Sequence, residues 1–243
     1  MAETYDSIGV GYRDYRAPDP RIQAQLDNAL ADARSVINVG AGTGSYEPLD
    51  RPTIAVEPSA TMVRQRAQGL NPVVRAHAEA LPFGDGCFDT ALALLTVHHW
   101  PDRQRGLEEL RRVARHSVVI FTHDGFHDSF WLMDYFPEIL ELDDRIMPSR
   151  AEFEAVFEQL EEVRVPIPSD CTDGFLAAYW RRPERYLQAG VRQAISAFSM
   201  ISRVEEGLQR LRADLDSGAW HRQYGTLLAA DSLDLGYKLV IAR

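Results

Sequence analysis

The stretch Val36-Ile37-Asn38-Val39-Gly40-Ala41-Gly42-Thr43-Gly44 decides the fold. Its first four residues form a short, largely β-branched run, and such a run ending at a glycine predicts a buried strand. The glycines that follow let the backbone turn sharply and let a ligand approach without a Cβ in the way. Before this strand, residues 20–33 carry apolar side chains at helical spacing, which predicts a helix.

Strands and helices alternate after the glycine loop. We predict strands over 53–56, 73–74, 88–95 and 117–122, with helices over 59–68 and 103–115. Ser149-Arg150-Ala151-Glu152 is typical of a capping box and predicts a helix to about residue 160. A sixth strand over 162–168 and a last strand over 235–242 complete the set. This order predicts an α/β fold, with a mostly parallel seven-stranded sheet covered by helices on both faces.

Two aromatic-rich stretches lie outside this pattern, and the second contains a long helical pattern from Val191 to Leu215. We expect both to form a helical cap over the carboxyl-terminal edge of the sheet. The predicted division is an N-terminal lid followed by a helix, together residues 1–34, then the core over 35–123, a cap insertion over 124–148, a core helix and strand six over 149–168, a helical cap insertion over 169–232 and the last strand over 233–243.

Composition narrows the function classes. There are 26 Lys plus Arg against 36 Asp plus Glu, so the net charge is −10, and no overall field attracts nucleic acid. Two cysteines form neither a disulfide framework nor a four-cysteine zinc site. No apolar run approaches a bilayer span, and the N-terminus does not resemble a signal peptide. We expect a soluble, cytoplasmic enzyme without a membrane partner.

A ligand site is predicted where the strands end. In open α/β sheets the ligand sits beyond the carboxyl ends of the strands, near the switch point. Glu57 ends the second strand, 17 residues after Gly40, where a carboxylate can accept hydrogen bonds from ribose hydroxyls. The alternative is a sharp turn between strand and helix without a ligand.

Together these motifs resemble the class I S-adenosylmethionine (SAM)-dependent methyltransferases. Val36 to Tyr46 is similar to the first motif of that family, and Glu57 to the ribose-binding acid of the second. Residues 78–83 resemble the segment that passes the adenine, 96–100 the loop beside the sulfonium, and 107–113 the helix that follows. The resemblance covers residues 35–122 and implies a Rossmann-like fold with an antiparallel last strand. The segment 12–16 is similar to a lid of small-molecule members.

The resemblance implies SAM as cofactor and a set of residues that bind it: Asn38, Gly40, Ala41, Gly42, Gly44, Glu57, Pro58, Ala78, Glu79, Thr96, Tyr12 and Arg16. The sequence departs from the family pattern at three places. Asn38 stands where an acid is usual, and His77 stands where an acid is common in the adenine segment. A Pro-Gly-Gly turn before the fifth strand is replaced by residues 115–117.

Histidines follow two strands and are the candidates for a general base. His98 and His99 come after the fourth strand, and His123 comes after the fifth. An imidazole near its ordinary pKa accepts a proton at neutral pH, but a surface or packing role is the alternative for each. The adjacent rings of His98 and His99 are expected to point apart. His123, Asp124 and His127 have a spacing that suits a metal, but they lie in a predicted loop without a fixed frame, so we expect no metal.

The predicted acceptor is a small molecule, bound by cap aromatics including Trp131, Tyr135 and Trp180. The alternatives are that these rings fill the core of the cap, and that the second insertion makes a homodimer interface. A NAD-dependent oxidoreductase is disfavoured, since Ser45 stands where its fingerprint needs the third glycine. A nucleic-acid methyltransferase is disfavoured by the negative net charge. It is also disfavoured because residues 96–100 stand where amino-methylating DNA enzymes typically carry an Asp/Asn-Pro-Pro-Tyr/Phe motif. A non-catalytic SAM-binding protein, acting as sensor or partner, remains the alternative function.

Overall fold

The structure is a computed structural model that describes residues 15–126 and 130–243. Its first half contains α1 (Pro20–Ala29), β1 (Val36–Val39), β2 (Thr53–Val56), α2 (Ala60–Arg64), β3 (Val73–Val74), β4 (Phe88–Leu94), α3 (Arg103–Val113) and β5 (Ala114–His123). Its second half contains α4 (Glu138–Ile146), α5 (Arg150–Glu154), β6 (Leu160–Arg164), β7 (Ile167–Pro168), α6 (Ala189–Gln193), α7 (Ala197–Met200), α8 (Val204–Asp216), α9 (Ala219–Tyr224), β8 (Ser232–Leu233) and β9 (Tyr237–Ala242).

Seven strands form one sheet in the order β3-β2-β1-β4-β5-β9-β6. β1 pairs in parallel with β2 and β4, and β5 continues the parallel set. β9 runs antiparallel to both neighbours, β5 and β6. The predicted Rossmann-like sheet with an antiparallel last strand is therefore confirmed. Its switch point lies between β1 and β4, so the loops after these strands meet at one edge.

The central strands are buried on both faces. Ile37 contributes to the core that packs under α3, through Leu107 and Leu110, whereas Val36 contributes to the core on the opposite face. This alternation follows from the twofold period of a strand. It explains why these strands are continuous apolar runs in the sequence.

The cap is continuous with the core on one face of the sheet. Trp131, Trp180 and Trp220 are fully or almost fully buried, and they belong to the same apolar cluster as Phe121 of β5. The Trp131 and Trp220 rings meet edge to face with centroids 5.2 Å apart. The two insertions therefore share one aromatic interior with the sheet.

Several predicted helices end early, for identifiable reasons. α1 ends at Ala29, not at residue 33, because the Arg51 guanidinium donates to the carbonyl groups of Leu30 and Ala33 and replaces the next helical turn. α5 has the predicted capping box: Glu152 N donates to Ser149 Oγ and Ser149 N donates to Glu152 Oε2. It nevertheless ends at Glu154, and α2 ends at Arg64 instead of residue 68.

The long helical pattern from Val191 to Leu215 does not form one helix. It breaks into α6, α7 and α8, with Ile201 in an extended conformation. The Glu138 carboxylate accepts hydrogen bonds from Ser202 Oγ at 2.6 Å and from Arg203 N at 2.8 Å, so it satisfies backbone at the start of α8. A side chain distant in sequence thus favours the break.

The predicted sixth strand is also divided. β6 ends at Arg164, and β7 leaves the main sheet to pair with β8 in a separate two-stranded ribbon. Pro166 and Pro168 lack the N–H donors that a continuous strand requires, which accounts for the change of partner. In the part of the chain that the structure describes, no helix has the length and apolarity needed to cross a membrane.

Candidate functional site

The loop after β1 is built around the second strand. The N–H groups of Gly40 and Ala41 both donate to the carbonyl of Val56, at 2.9 and 3.0 Å. Gly40 adopts φ +73°, in the region that favours glycine. A Cβ there would also overlap the side chain of Thr96, which follows β4. The loops after β1 and β4 therefore approach as closely as their backbones allow.

Glu57 holds this loop and the start of the next helix together. Its Oε2 accepts a hydrogen bond from Gly42 N at 2.8 Å, and its Oε1 accepts one from Ser59 N at 2.8 Å. Ser59 caps α2 by accepting from Met62 N. The Glu57 side chain is buried yet lines a large cavity, so it organises the site and also faces it.

The cavity at this edge of the sheet has a volume of about 480 Å³. Ten of the predicted cofactor-binding residues line it: Arg16, Asn38, Gly40, Ala41, Gly42, Glu57, Pro58, Ala78, Glu79 and Thr96. Gly44 is not on its wall, because it packs against Leu70 and Arg66, and a Cβ there would lie 2.4 Å from Leu70 Cδ1. Tyr12 lies outside the described residues.

Asn38 tests whether these residues fit a bound cofactor. Its side chain is 1% exposed and lines the cavity, and within the described part of the chain neither its Oδ1 nor its Nδ2 has a hydrogen-bond partner. A buried polar group left unpaired costs roughly 1–3 kcal/mol, so such groups normally have partners. A ligand with polar atoms at this point would satisfy the amide, and SAM carries such atoms at its methionine end.

A second, smaller cavity of about 70 Å³ adjoins the first. Arg16, Leu95 and His99 line both cavities, so the two meet at these residues. Leu95 has φ +49°, which is unusual for a residue with a side chain, and its N–H donates to Phe121 O at 2.8 Å. Strained backbone of this kind is found where function fixes the chain, and here it lies at the junction.

All three predicted histidines reach the second cavity. Burial, with the nearby cations Arg16 and Arg103, lowers the pKa of His98 to about 4. Burial and His98 lower the pKa of His123 to about 3, with Asp124 acting in the opposite direction. Burial also holds the pKa of His99 well below its ordinary value. At pH 7 all three rings are therefore neutral.

A buried ion network fixes the turn after His123. Lys238, the single lysine of the chain, is 5% exposed on β9 and contacts the carboxylates of Asp124 and Glu162. Arg164 donates to the other oxygen of Asp124 at 2.8 Å. Burial raises the pKa of Asp124, but the contacts with Lys238 and Arg164 outweigh it, so the pKa of Asp124 is lowered. Strand β9 thereby anchors the residue next to His123.

Arg16 joins the N-terminal segment to the second insertion. Its Nε and Nη2 donate to the two carboxylate oxygens of Asp173, at 2.5 and 3.4 Å, and the two residues also form a backbone bridge. Asp173 is fully buried, and Gly174 N donates to Tyr15 O at 2.8 Å. The predicted cofactor residue Arg16 thus stands between the cofactor cavity and the cap.

The structure places the three predicted acceptor-binding aromatics in the core of the cap. Trp131 Nε1 donates to Trp180 O at 2.7 Å, Trp180 Nε1 donates to Ile167 O at 3.0 Å, and Tyr135 Oη donates to Asp214 at 2.8 Å. None of the three lines either cavity in the described structure. The alternative that such rings fill the cap interior accounts for their positions.

Other residues form the walls instead. The first cavity also uses Thr43, Ser45, Tyr46, Ser59, Met62, Ala76, His77, Leu94, Leu95, Trp100, Pro101 and Phe121. The second uses Leu142, Asp143, Ile146, Met147, Phe175, Leu176, Ala194, Ile195, Ser196, Ala197 and Tyr237. Phe121 had a sequence signal, since it lies near the end of a predicted strand. The cap residues that line the second cavity, such as Leu142 and Ile195, belong to no motif that could have identified them from the sequence. Over residues 15–126 and 130–243, no group of three or more potential metal ligands occurs, and His127 lies outside them.

Comparison with known proteins agrees with this geometry. A family model described as a methyltransferase domain matches residues 37–122. A solved structure from Anabaena variabilis, provisionally assigned as a methyltransferase from an antibiotic biosynthesis pathway, is 32% identical. It superimposes with a TM-score of 0.87, and the match covers 94% of this chain and 99% of that one. The chain therefore belongs to the class I SAM-dependent methyltransferases, and its cofactor is S-adenosyl-L-methionine.

Curated relatives match over shorter lengths. A 2-methyl-6-phytyl-1,4-hydroquinone methyltransferase from rice is 29% identical over 56% of this chain and 43% of its own. A tRNA (carboxymethyluridine(34)-5-O)-methyltransferase from Schizosaccharomyces pombe is 27% identical over 48% of this chain and 51% of its own. The chain thus spans about half the length of these relatives, and they act on very different acceptors.

Proposed function

We propose that this chain transfers the methyl group of SAM to a small organic acceptor whose reacting atom enters the second cavity. The observation that carries the proposal is that the two cavities meet at Arg16, Leu95 and His99. A cofactor bound along the motif residues would have its reactive end near the loops after β1 and β4. The second cavity opens at the same place, between the ends of β4 and β5 and the cap.

The size of the second cavity indicates what enters it. Its volume of about 70 Å³ is less than half of the roughly 150 Å³ of a cavity known to hold benzene. It therefore admits the reacting end of a molecule, and a larger acceptor would need the cap to move. Leu142, Phe175 and Ile195 supply apolar walls, while the histidines supply polar points.

The chemistry requires mainly positioning. When bound, SAM supplies a methyl carbon already activated by the sulfonium. Glu57 and the loop from Gly40 to Gly42 would hold the cofactor, and the junction at His99 would align the acceptor atom with that carbon. The acceptor atom forms its bond to the methyl carbon as the carbon–sulfur bond breaks, and any proton on that atom leaves to solvent or a base.

A nucleic-acid acceptor is less well supported, although one curated relative methylates tRNA. The net charge of −10 opposes binding to a phosphate backbone. The rice relative, whose acceptor is a substituted hydroquinone, favours a small molecule. Two free cysteines agree with the reducing cytoplasm as its location.

The test is transfer of label from methyl-labelled SAM to a metabolite extract. We expect the label in a compound of low molecular mass, and identifying that compound names the acceptor. Extract without protein and extract with heat-denatured protein are the controls. Binding of SAM by calorimetry without any label transfer would favour a non-catalytic SAM-binding protein, and label found in tRNA would contradict a small-molecule acceptor.

A further inference from the structure

His123 differs from the other two histidines because one of its ring nitrogens has a defined partner. Its Nδ1 accepts a hydrogen bond from Gly125 N at 3.1 Å. The ring packs against Phe126 and Tyr237, with centroids 4.9 and 5.0 Å away. These contacts fix both the plane of the ring and the direction of each nitrogen.

The hydrogen bond determines the tautomer. A neutral imidazole carries one proton, and a nitrogen that accepts a hydrogen bond cannot be the one that carries it. Because His123 is neutral and accepts at Nδ1, the proton is on Nε2. Within the described residues Nε2 makes no hydrogen bond, and the side chain lies on the wall of the second cavity. His123 therefore offers a donor there and has no free lone pair.

We propose, on the basis of the proposed function above, that His123 Nε2–H is a positioning donor to an oxygen atom of the acceptor. The acceptor is accordingly a compound with a carbonyl or hydroxyl oxygen beside the atom that is methylated. A neutral amine without such an oxygen has one lone pair, which cannot both accept from His123 and attack the methyl carbon, and a protonated amine has donors only. His123 is thus not the general base that its position after β5 suggests.

The charged groups of this cavity are already engaged. Arg16 is paired with Asp173, and Asp143 Oδ2 accepts a hydrogen bond from Phe126 N at 2.9 Å. Asp124, next to His123 in the chain, is held by Lys238 and Arg164. None of these contacts supplies an acceptor for His123 Nε2, so the oxygen must come from a bound molecule or from water.

The first experiment reads the tautomer directly by ¹⁵N NMR of the full chain with S-adenosylhomocysteine. The His123 signals are assigned by their loss in His123→Asn. We expect a neutral ring with its proton on Nε2 at pH 7. Acetone should shift the Nε2 signal in a saturable way, and methylammonium at the same concentration should not. A proton on Nδ1, a cationic ring, or a preference for methylammonium would overturn the proposal.

The second experiment uses two amide variants in the labelled-SAM assay with metabolite extract. His123→Gln carries an NH₂ group at about the position of Nε2, whereas His123→Asn preserves a partner for Gly125 N and has no donor at Nε2. We expect Gln to keep the rate of label transfer within about fivefold, and Asn to lower it by at least about tenfold, with unchanged affinity for SAM. Equal losses would indicate a base and refute a donor.

The two proposals fail in different ways. If wild-type protein transfers no label, the proposed function is wrong, and NMR with acetone still decides the role of His123. If label is transferred to a compound that carries no oxygen, the proposed function stands and the donor role is wrong.

Discussion

A Cβ atom on Gly40 would lie 2.1 Å from Thr96 Oγ1, which is well inside van der Waals contact. Gly40 ends the first strand and Thr96 follows the fourth, so this approach brings together the two loops at the switch point of the sheet. The closeness makes glycine a requirement of packing here as well as of backbone conformation.

Gly40→Ala is expected to destabilise the chain and to weaken SAM binding more than tenfold, because Thr96 or the loop must move. Gly69→Ala is a matched control, since Gly69 has φ +88° but nothing within 4 Å of the added Cβ. Backbone strain alone costs about 1–2 kcal/mol, and the control should show that cost only. Thermal unfolding and calorimetry measure both variants. Equal effects would mean that contact with Thr96 is unimportant.

Glu57→Gln should weaken SAM binding and also reduce the stability of the ligand-free chain. The amide replaces one of the two carboxylate oxygens by an NH₂ group, which would face the N–H of Gly42 or Ser59 as a second donor. Loss of one such charged hydrogen bond costs roughly 1.5–3 kcal/mol. Urea unfolding without SAM and calorimetry with SAM separate the two effects. A variant that binds SAM like the wild type would show that Glu57 does not contact the ribose.

Breaking the buried pair of Arg16 and Asp173 should be costly. Asp173→Leu removes the buried carboxylate from the guanidinium of Arg16, and removing one partner of such a pair costs about 3–5 kcal/mol. Asp170→Leu is the control, because Asp170 pairs with Arg21 at the surface and such pairs contribute about 0–1 kcal/mol. Denaturant unfolding compares the two. Similar losses would contradict a structural role for the pair.

The cap is expected to influence acceptor turnover and leave SAM affinity unchanged. Ile195→Val removes one methyl group from the wall of the second cavity, which changes kcat/KM by about tenfold when a pocket contacts its substrate. Ile22→Val makes the same change in α1, away from both cavities, and controls for stability. Matching turnover in the two variants would favour the alternative in which the second insertion is a dimer interface. Trp180 is unsuitable for this test because it is a core residue.

The free energy of unfolding should fall as the pH drops below about 6.5. The unfolded chain binds protons on His98 and His123 at their ordinary pKa, whereas the folded chain binds them only near pH 4 and pH 3. Stability is therefore lost from pH 6.5 down to about pH 4 for His98 and about pH 3 for His123, by roughly 2 kcal/mol for each ring at pH 5. His98→Leu should flatten this slope, and its difference from wild type at pH 8 measures packing alone. An unchanged slope would mean that His98 is protonated in the folded chain.

The lining of the first cavity was predictable because its determinants are local in sequence. The glycine loop directly follows β1, and Glu57 directly follows β2, so strand prediction alone brings them to one edge. The second cavity depends on long-range packing, since Leu142 and Ile195 come from different insertions. The sequence also does not show which aromatic side chains are buried. A tryptophan such as Trp180 is equally consistent with the wall of a binding cavity and with the interior of the cap.

The predicted boundaries of several helices were wrong for a similar reason, since residues distant in sequence decide where the helices begin and end. The helical pattern after Val191 is genuine, yet Glu138, from a different helix, satisfies the backbone at Arg203 and favours a new helix start. Arg51 likewise ends α1 from outside that helix. The tautomer that we propose for His123 depends on its contact with Gly125 N, which no spacing rule provides. The division of the chain into core and insertions stays a prediction.

Lys238 also gives the molecule an internal chemical reporter. The other 25 of the 26 Lys and Arg residues are arginine, so an amine-directed acylating reagent has one side-chain amine to react with. The side chain that carries this amine is 5% exposed, and the amine contacts two carboxylates. Its rate of modification measures how often the edge formed by β5, β9 and β6 opens. Protease cleavage after lysine would cut the chain within β9, and the rate of cleavage follows the same opening.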